Sequence, residues 1–416
     1  MKNRHFRAAA VQTLATLGNI DHNIEIATGF VEDAVRQGAE LIVFPECMNT
    51  GYLFDSFEHC CELAEDVSDG LFVSALSELS KKHGIYIASG ITEWDSERQK
   101  VFNTGIMFDR GGALVCHYHK QFLATHDQNW FSFGERGNPV VETDLGKIGL
   151  LICFDGRIPE IFRSMALKGA EVIVDMANFF AMDQADMWGP ARSYENGLWL
   201  VAATKAGFER SIYYPGGSMI VDPKGRVLSK VPYDTHGIAI ADIDPDMALN
   251  KSIYTANDKI ADRRSETYGI MSQPYINTPV AKIADIPIIP SQSISKIAAV
   301  QMHVTNESKV DDVFDMIDHA AKLGIKVITL PEYAFSIHWL PDANEATQLS
   351  HAAPDCISRA TVIAKKYNCL IAIPTVEKTS MGMFVTTYLI GPDGKNIGKY
   401  RKTHLTVEER IWAIAG

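Results

Sequence analysis

Three residues of this 416-residue chain stand where covalent chemistry could be done: Cys153, Glu46 and Lys120. Cys153 follows the apolar run 148–152, which reads as a buried strand, and precedes a turn carrying Gly156. Pro159 comes next and suits the first turn of a helix. That helix runs through Ile161, Phe162, Met165 and Ala166 to a stop at Gly169. A cysteine between a strand end and a helix N-terminus is a candidate nucleophile, because the helix dipole and free N–H groups favour its thiolate. The same N–H groups can face a developing oxyanion. The competing reading is a core cysteine, since free cysteine is among the most buried residue types.

The elements that must position these residues alternate along the chain. A strand at 6–11 leads to a helix at 21–37, whose inner face carries Ile24, Ala27, Val31, Ala34 and Val35. The buried strand 41–44 delivers Pro45-Glu46, followed by Thr50-Gly51-Tyr52. A helix at 71–82 and a strand at 85–89 come next. A hairpin, 101–108 and 113–118, turns at Asp109-Arg110-Gly111-Gly112 and leads into Tyr118-His119-Lys120. Beyond Cys153 the pattern predicts strands at 172–174, 198–203, 218–221, 227–231 and 238–243, with a helix at 188–196. Strands joined both by helices and by hairpins predict a mixed α/β sheet packed in layers.

Length and composition set the bounds. A chain of 416 residues exceeds what one core usually serves, so two domains are expected. A formal charge of −12 argues against nucleic acid or an anionic membrane as the main partner. No apolar stretch approaches the roughly 20 residues that span a bilayer, and the first residues lack the apolar core of a signal peptide. Seven cysteines with no paired Cys-x-x-Cys spacing fit reduced thiols in a cytoplasmic protein.

From 278 to 295 prolines, serines and short aliphatics predict a linker between a domain at 1–277 and a second one at 296–416. The second restarts the first. Lys296-Ile297-Ala298-Ala299-Val300-Gln301 echoes Arg7-Ala8-Ala9-Ala10-Val11-Gln12, Leu330-Pro331-Glu332 echoes Phe44-Pro45-Glu46, and Tyr400-Arg401-Lys402 echoes Tyr118-His119-Lys120. The offsets are 289, 286 and 282 residues, a small drift over a long span. The second copy holds a Glu and a Lys, read as relics, and no strand–cysteine–helix segment.

Glu46 in Phe-Pro-Glu, Lys120 in Tyr-His-Lys and Cys153 in Ile-Cys-Phe-Asp-Gly-Arg-Ile-Pro-Glu resemble the Glu-Lys-Cys set of the carbon–nitrogen hydrolase (nitrilase/amidase) superfamily. Gly169-Ala170-Glu171, Ala191-Arg192-Ser193-Tyr194-Glu195-Asn196 and Gly217-Ser218 fit the same pattern over roughly residues 6–245, and 296–416 resembles the first half of that domain. The resemblance implies an αββα four-layer sandwich, a tandem with a truncated repeat, and a homo-oligomer. It implies a thiol amidohydrolase that cleaves a non-peptide C–N bond of a small amide or N-carbamoyl substrate with water, through a thioester on Cys153. Glu46 would carry the proton, and Lys120 with a backbone N–H after Cys153 would hold the oxyanion. No metal and no organic cofactor is assigned a task.

The family's second glutamate after the lysine aligns with Gln128, flanked by His126 and Asp127. Either Asp127 substitutes, or a neutral amide serves there, or the alignment slips. Tyr52, Gln128, Phe154, Arg157 and Phe179 complete the candidate substrate contacts. Arg157 is read first as a structural partner of Glu160 or another acid, and Arg192 with Glu195 as an ion pair on one helix. Cys153-Phe154-Asp155 points toward the amidase and N-carbamoyl branches rather than true nitrilases, which tend to have Cys-Trp-Glu. The alternatives are a true nitrilase and a catalytically impaired scaffold with an amidase fold.

Overall fold

The computed structural model describes residues 4–124, 126–254, 257–284, 295–302, 304–305 and 309–416. The chain forms two compact units, Met1–Ser252 and Ile253–Gly416.

The first unit opens with β1 (Phe6–Gln12), α1 (Ile20–Arg36), β2 (Leu41–Val43), α2 (Phe57–Leu63), α3 (Leu71–His83), β3 (Tyr86–Asp95), β4 (Lys100–Phe108) and β5 (Leu114–His119). It continues through α4 (Asp127–Trp130), β6 (Val140–Thr143), β7 (Gly146–Leu151), α5 (Pro159–Leu167), β8 (Val172–Met176), α6 (Gly189–Asn196) and β9 (Trp199–Ala203). A hairpin of β10 (Ala206–Glu209) and β11 (Ile212–Pro215) precedes β12 (Met219–Val221), β13 (Val227–Lys230) and β14 (Gly237–Ile243).

Two six-stranded sheets result, in the orders β14-β1-β2-β3-β4-β5 and β13-β12-β9-β8-β7-β6. They face each other, with α1 and α3 outside the first and α5 and α6 outside the second. This is the αββα sandwich. β1, β2 and β3 run parallel, and β2 is buried at every position, as expected of a strand covered on both faces. α1 turns Ala27, Val31 and Ala34 into the core. β3 runs on to Asp95, past the predicted end at Ser89, because antiparallel pairing with β4 carries it there. The helix expected from Trp188 begins as a π turn, Gln184–Trp188, before α6.

The second unit starts within a short ribbon, β15 (Ser252–Tyr254) with β16 (Asn257–Asp258), and includes α7 (Pro279–Ala284). Residues 257–277, expected to close the first domain, group with the second unit instead. Arg410 meets Asp262 at 2.9 Å, Tyr268 Oη meets His404 Nε2 at 2.8 Å, and Asn257 Nδ2 donates to Leu405 O at 3.3 Å. The expected linker 278–295 contains α7, and its stretch 285–294 lies outside the described residues.

Further along come β17 (Ile297–Ala299), α8 (Val310–Lys322), β18 (Val327–Thr329), α9 (Ala343–Tyr367), β19 (Leu370–Thr379), β20 (Gly382–Ile390) and β21 (Asn396–Arg401). Their sheet has the order β17-β18-β19-β20-β21, parallel then antiparallel, as in β1 to β5. α8 and α9 supply a core around Phe314, Ile317, Ile328, Ile371 and Ile373. Alternate residues Val327, Thr329, Leu370 and Ala372 stay partly exposed on the other side of the pleat.

Candidate active site

Each chemical group sits just past the end of a strand. Glu46 follows β2, and its Cα lies so near Gly90 of β3 that a Cβ there would come within 2.5 Å. Lys120 follows β5, with its N–H donating to Asn103 O at 2.9 Å and its carbonyl accepting from Gly134 N at 2.9 Å. Cys153 stands beyond β7 with φ of +49°, a left-handed conformation that costs a non-glycine residue energy. The strain is held by side chains: Cys153 N–H donates to Asp175 Oδ1 at 2.8 Å, and Gln184 Nε2 donates to Cys153 O at 3.1 Å.

Lys120 Nζ bridges two carboxylates, Glu46 Oε1 at 2.6 Å and Asp127 Oδ2 at 2.7 Å, and all three side chains are at most 1% exposed. Asn103 Nδ2 donates to Glu46 Oε1 at 2.5 Å. Asp127 also accepts from Tyr52 Oη at 2.7 Å and from Ala124 N at 2.8 Å. The acid beside Lys120 is therefore Asp127. Gln128, the aligned candidate, is exposed on α4, because one residue further along a single-turn helix points away from Lys120. The carboxylate, short by one methylene, reaches Lys120 because Tyr52 and the Ala124 N–H fix it.

Electrostatics set the resting protonation. Burial lowers the Lys120 pKa, but Asp127 and Glu46 outweigh it and hold the ammonium well above its ordinary value. Burial pushes Glu46 up, against the pull of Lys120. Burial and then the charge of Glu46 push the Cys153 thiol well up, with Lys120 a partial offset. Both effects disfavour the thiolate expected from a helix N-terminus. The physical reason is local: Cys153 begins a single 3₁₀ turn, Cys153–Arg157, and α5 starts only at Pro159. Cys153 Sγ donates to Asn178 O at 3.5 Å.

The other expected contacts divide. Tyr52 and Phe179 are buried, the first on Asp127 and the second 6.4 Å from the Trp188 ring. Phe154 stacks on Phe122 at 5.7 Å. Arg157 pairs with Asp183 at 3.1 Å, not with Glu160, and its guanidinium lies 5.0 Å from the Trp188 ring and 5.4 Å from that of Phe154. Arg192 does pair with Glu195, at 2.8 Å, and also caps the nucleophile turn by donating to Gly156 O and Arg157 O. Asp155 fixes that turn to Tyr118 Oη at 2.6 Å and to Phe122 N at 2.8 Å.

Sequence reasoning missed Asn103, Asp175, Asn178, Gln184 and Tyr214. Among the described residues the Asn178 amide, Tyr214 Oη and Trp188 Nε1 are buried without a partner, and buried polar groups ordinarily find one. Asn178 touches the Cys153 sulfur through its carbonyl, and Tyr214 lies within electrostatic reach of Cys153 and Glu46. No spacing signal marks these residues, since they come from separate strands, a helical turn and a loop.

The strained cysteine and the buried carboxylate–lysine pair thus lie together between two stacked sheets. The chain matches the carbon–nitrogen hydrolase family over residues 7–250 and again over 296–413, and it belongs to that family, hydrolases acting on C–N bonds other than peptide bonds. It is 34% identical over 262 residues to a nitrilase of Pyrococcus abyssi, a match spanning 63% of this chain and 98% of that protein. It is 28% identical to omega-amidase NIT3 of Saccharomyces cerevisiae over 59% of this chain and 89% of that one. The crystal structure of Saccharomyces cerevisiae Nit3 superposes with a TM-score of 0.56 at 27% identity, covering 61% of this chain and 96% of that chain. An amidase from Nesterenkonia sp. shares the fold, with a TM-score of 0.55 at 24% identity over 65% and 98% of the two chains.

Proposed function

We propose that the first unit hydrolyses a small carboxamide or N-carbamoyl compound through a Cys153 thioester. The observation that carries this reading is the buried Glu46–Lys120–Asp127 bridge beside a strained cysteine. Cys153 Sγ attacks the carbonyl carbon as its proton passes to Glu46, which burial has made more basic than a solvated carboxylate. Lys120 and the Phe154 N–H stabilise the resulting oxyanion. Because Asp127 shares the positive charge of Lys120, the ammonium is fixed in place before the oxyanion forms. Collapse breaks the C–N bond, the leaving nitrogen takes the proton from Glu46, and ammonia or an amine departs. Water, deprotonated by Glu46, then attacks the thioester, releases the acid, and returns the proton to sulfur.

The unpartnered Asn178, Tyr214 and Trp188 groups fit a polar substrate that supplies their missing hydrogen bonds. The relatives' names, nitrilase, omega-amidase and deaminated glutathione amidase, support amides first and nitriles as a comparison.

The test is ammonia release from short amides, N-carbamoyl amino acids, N-carbamoyl amines and nitriles, with hydroxylamine added in parallel. The expected result is ammonia from an amide or carbamoyl compound and a hydroxamate product that reports the acyl-enzyme, both absent in Cys153→Ala. Ammonia from nitriles alone would make the protein a true nitrilase. No product from any compound would favour the scaffold reading.

A further inference from the structure

Outside the proposed active site, one cluster of side chains has no role in the proposed chemistry. Glu93 of β3 and His117 and His119 of β5 bring Oε2, Nε2 and Nε2 within 4.8 Å of one another. The separations are 2.8 Å from Glu93 to His117, 2.9 Å from Glu93 to His119, and 3.2 Å between the two ring nitrogens. The Glu93 and His119 side chains are each 2% exposed, and that of His117 is 17% exposed. We propose that Glu93, His117 and His119 form a binding site for a zinc-class divalent cation, with water reaching the fourth position past His117.

Three observations support it. The first is the convergence of lone pairs. Tetrahedral zinc with bonds of about 2.0–2.1 Å sets its ligand atoms about 3.3 Å apart, and these three separations fall about 0.1–0.5 Å short of that. Hydrogen bonding alone satisfies the group poorly. Thr104 Oγ1 already donates to Glu93 Oε2 at 2.5 Å, so two further ring hydrogens would have to crowd onto one oxygen.

The second is rigidity. His117 and His119 project to the same face of one strand, two residues apart. The His119 ring is stacked on Phe102 at 3.9 Å and 9°, which fixes its orientation as metal-binding imidazoles require.

The third comes from the second unit, where the same ladder positions hold a solved version of the charge problem. Thr104 pairs with His119 as Thr386 pairs with Arg401, and Glu93 pairs with Phe102 as Glu377 pairs with Phe384. There Glu377 meets Lys399 at 2.5 Å and Arg401 at 2.8 Å, with the Arg401 guanidinium 3.9 Å over Phe384. Two permanent positive charges surround the glutamate. In the first unit two imidazoles take those places. A bound dication restores the two charges. Asp66 and Asp95 lie within electrostatic reach of Glu93 and favour it, whereas Arg136 near His119 opposes it.

The site adjoins the proposed catalytic pair through the backbone. His119 precedes Lys120, and Thr104 follows Asn103, which holds Glu46.

The test is titration of the chelator-stripped full chain with Co²⁺, followed by displacement with Zn²⁺. One equivalent should produce the visible bands of four-coordinate cobalt and raise Tm, as binding to the folded state alone must. His117→Gln should weaken binding by more than about 100-fold. The double variant His117→Lys with His119→Arg copies the second unit and should keep the metal-free Tm while losing the cobalt bands. No stoichiometric band in the unaltered chain, or a band that persists in His117→Gln, would overturn the proposal. These readouts do not depend on hydrolysis, so the site and the amidase reading fail separately.

Discussion

The two units carry the same trio of charges in different surroundings. In the first, Lys120 bridges Glu46 and Asp127, and no member is more than 1% exposed. In the second, Lys402 bridges Glu332 at 3.0 Å and Glu409 at 2.7 Å, with Lys402 21% and Glu332 47% exposed. Glu409 is itself buried and held by Tyr333 Oη at 2.5 Å and Thr406 N at 2.7 Å, much as Asp127 is held by Tyr52 and Ala124. Cys47 and Tyr333, each following its glutamate, share a left-handed φ of 50° and 58°. The strand ends therefore build the trio unaided. What the first unit adds is the second sheet, which excludes water and delivers Cys153. In the second unit Glu332 and Lys402 border an open cavity of about 380 Å³, lined also by Val385, Thr387, Tyr400 and His404. A lysine in water gives a developing oxyanion far less than one fixed in a dry site.

The largest effect that sharpens this contrast is on turnover. Lys120→Met should lower kcat by about 10²–10³-fold, the usual loss of an oxyanion donor, whereas Lys402→Met should leave it within twofold. An equal loss from both would show that the second trio takes part in catalysis. Next in size, Gly90→Ala should lower kcat by about 10²-fold through displacement of Glu46, since a misplacement of about 1 Å can cost that much. Unchanged turnover would mean that the β2 end tolerates the added methyl.

Stability should separate the trios as well. Asp127→Asn leaves a buried lysine short of one counter-charge and should cost about 3–5 kcal/mol in denaturant unfolding. Glu409→Gln, whose partner reaches solvent, should cost about 1–3 kcal/mol. Equal costs would mean that burial does not set the difference.

The smallest effect concerns pH. Arg401 hydrogen bonds, with Lys399, hold Glu377 at about 2, below its ordinary 4.5. Its contribution is therefore present above pH 4.5 and lost as pH falls through about 2. Burial raises Asp155 to about 6 from 3.8, against the Tyr118 hydrogen bond, so the folded state binds the proton more tightly. Stability from that group declines as pH rises from about 4 through about 6. Unfolding curves measured against pH should show Glu377→Gln flattening the acid limb and Asp155→Asn removing the opposite slope. Unaltered curves would refute the assignment of those slopes.

Much of the fold was legible because buried parallel strands read as unbroken apolar runs, and α1 and α5 show a clear 3.6-residue period with stop signals. Elements without such signals were missed. α2 is a short helix containing Cys60-Cys61, and the β10–β11 hairpin carries exposed Phe208 and Tyr213. α9 spans Ala343–Tyr367 with Pro354 inside it, a breaker that local reading discounts. Residues 257–277 group with the second unit through contacts with 404–410, far away in sequence, which local reading does not register.

Residue types along the chain settle which groups are available: a glutamate, a lysine and a cysteine, each just beyond a strand. Residue type and strand period are local properties, so they survive reading in one dimension. Packing alone selected Asp127 over Gln128 as the partner of Lys120, paired Arg157 with Asp183, and buried Cys153. Each of those depends on the direction of a side chain and on how much water surrounds it. Both are set by packing between segments distant along the chain, where no spacing rule reaches.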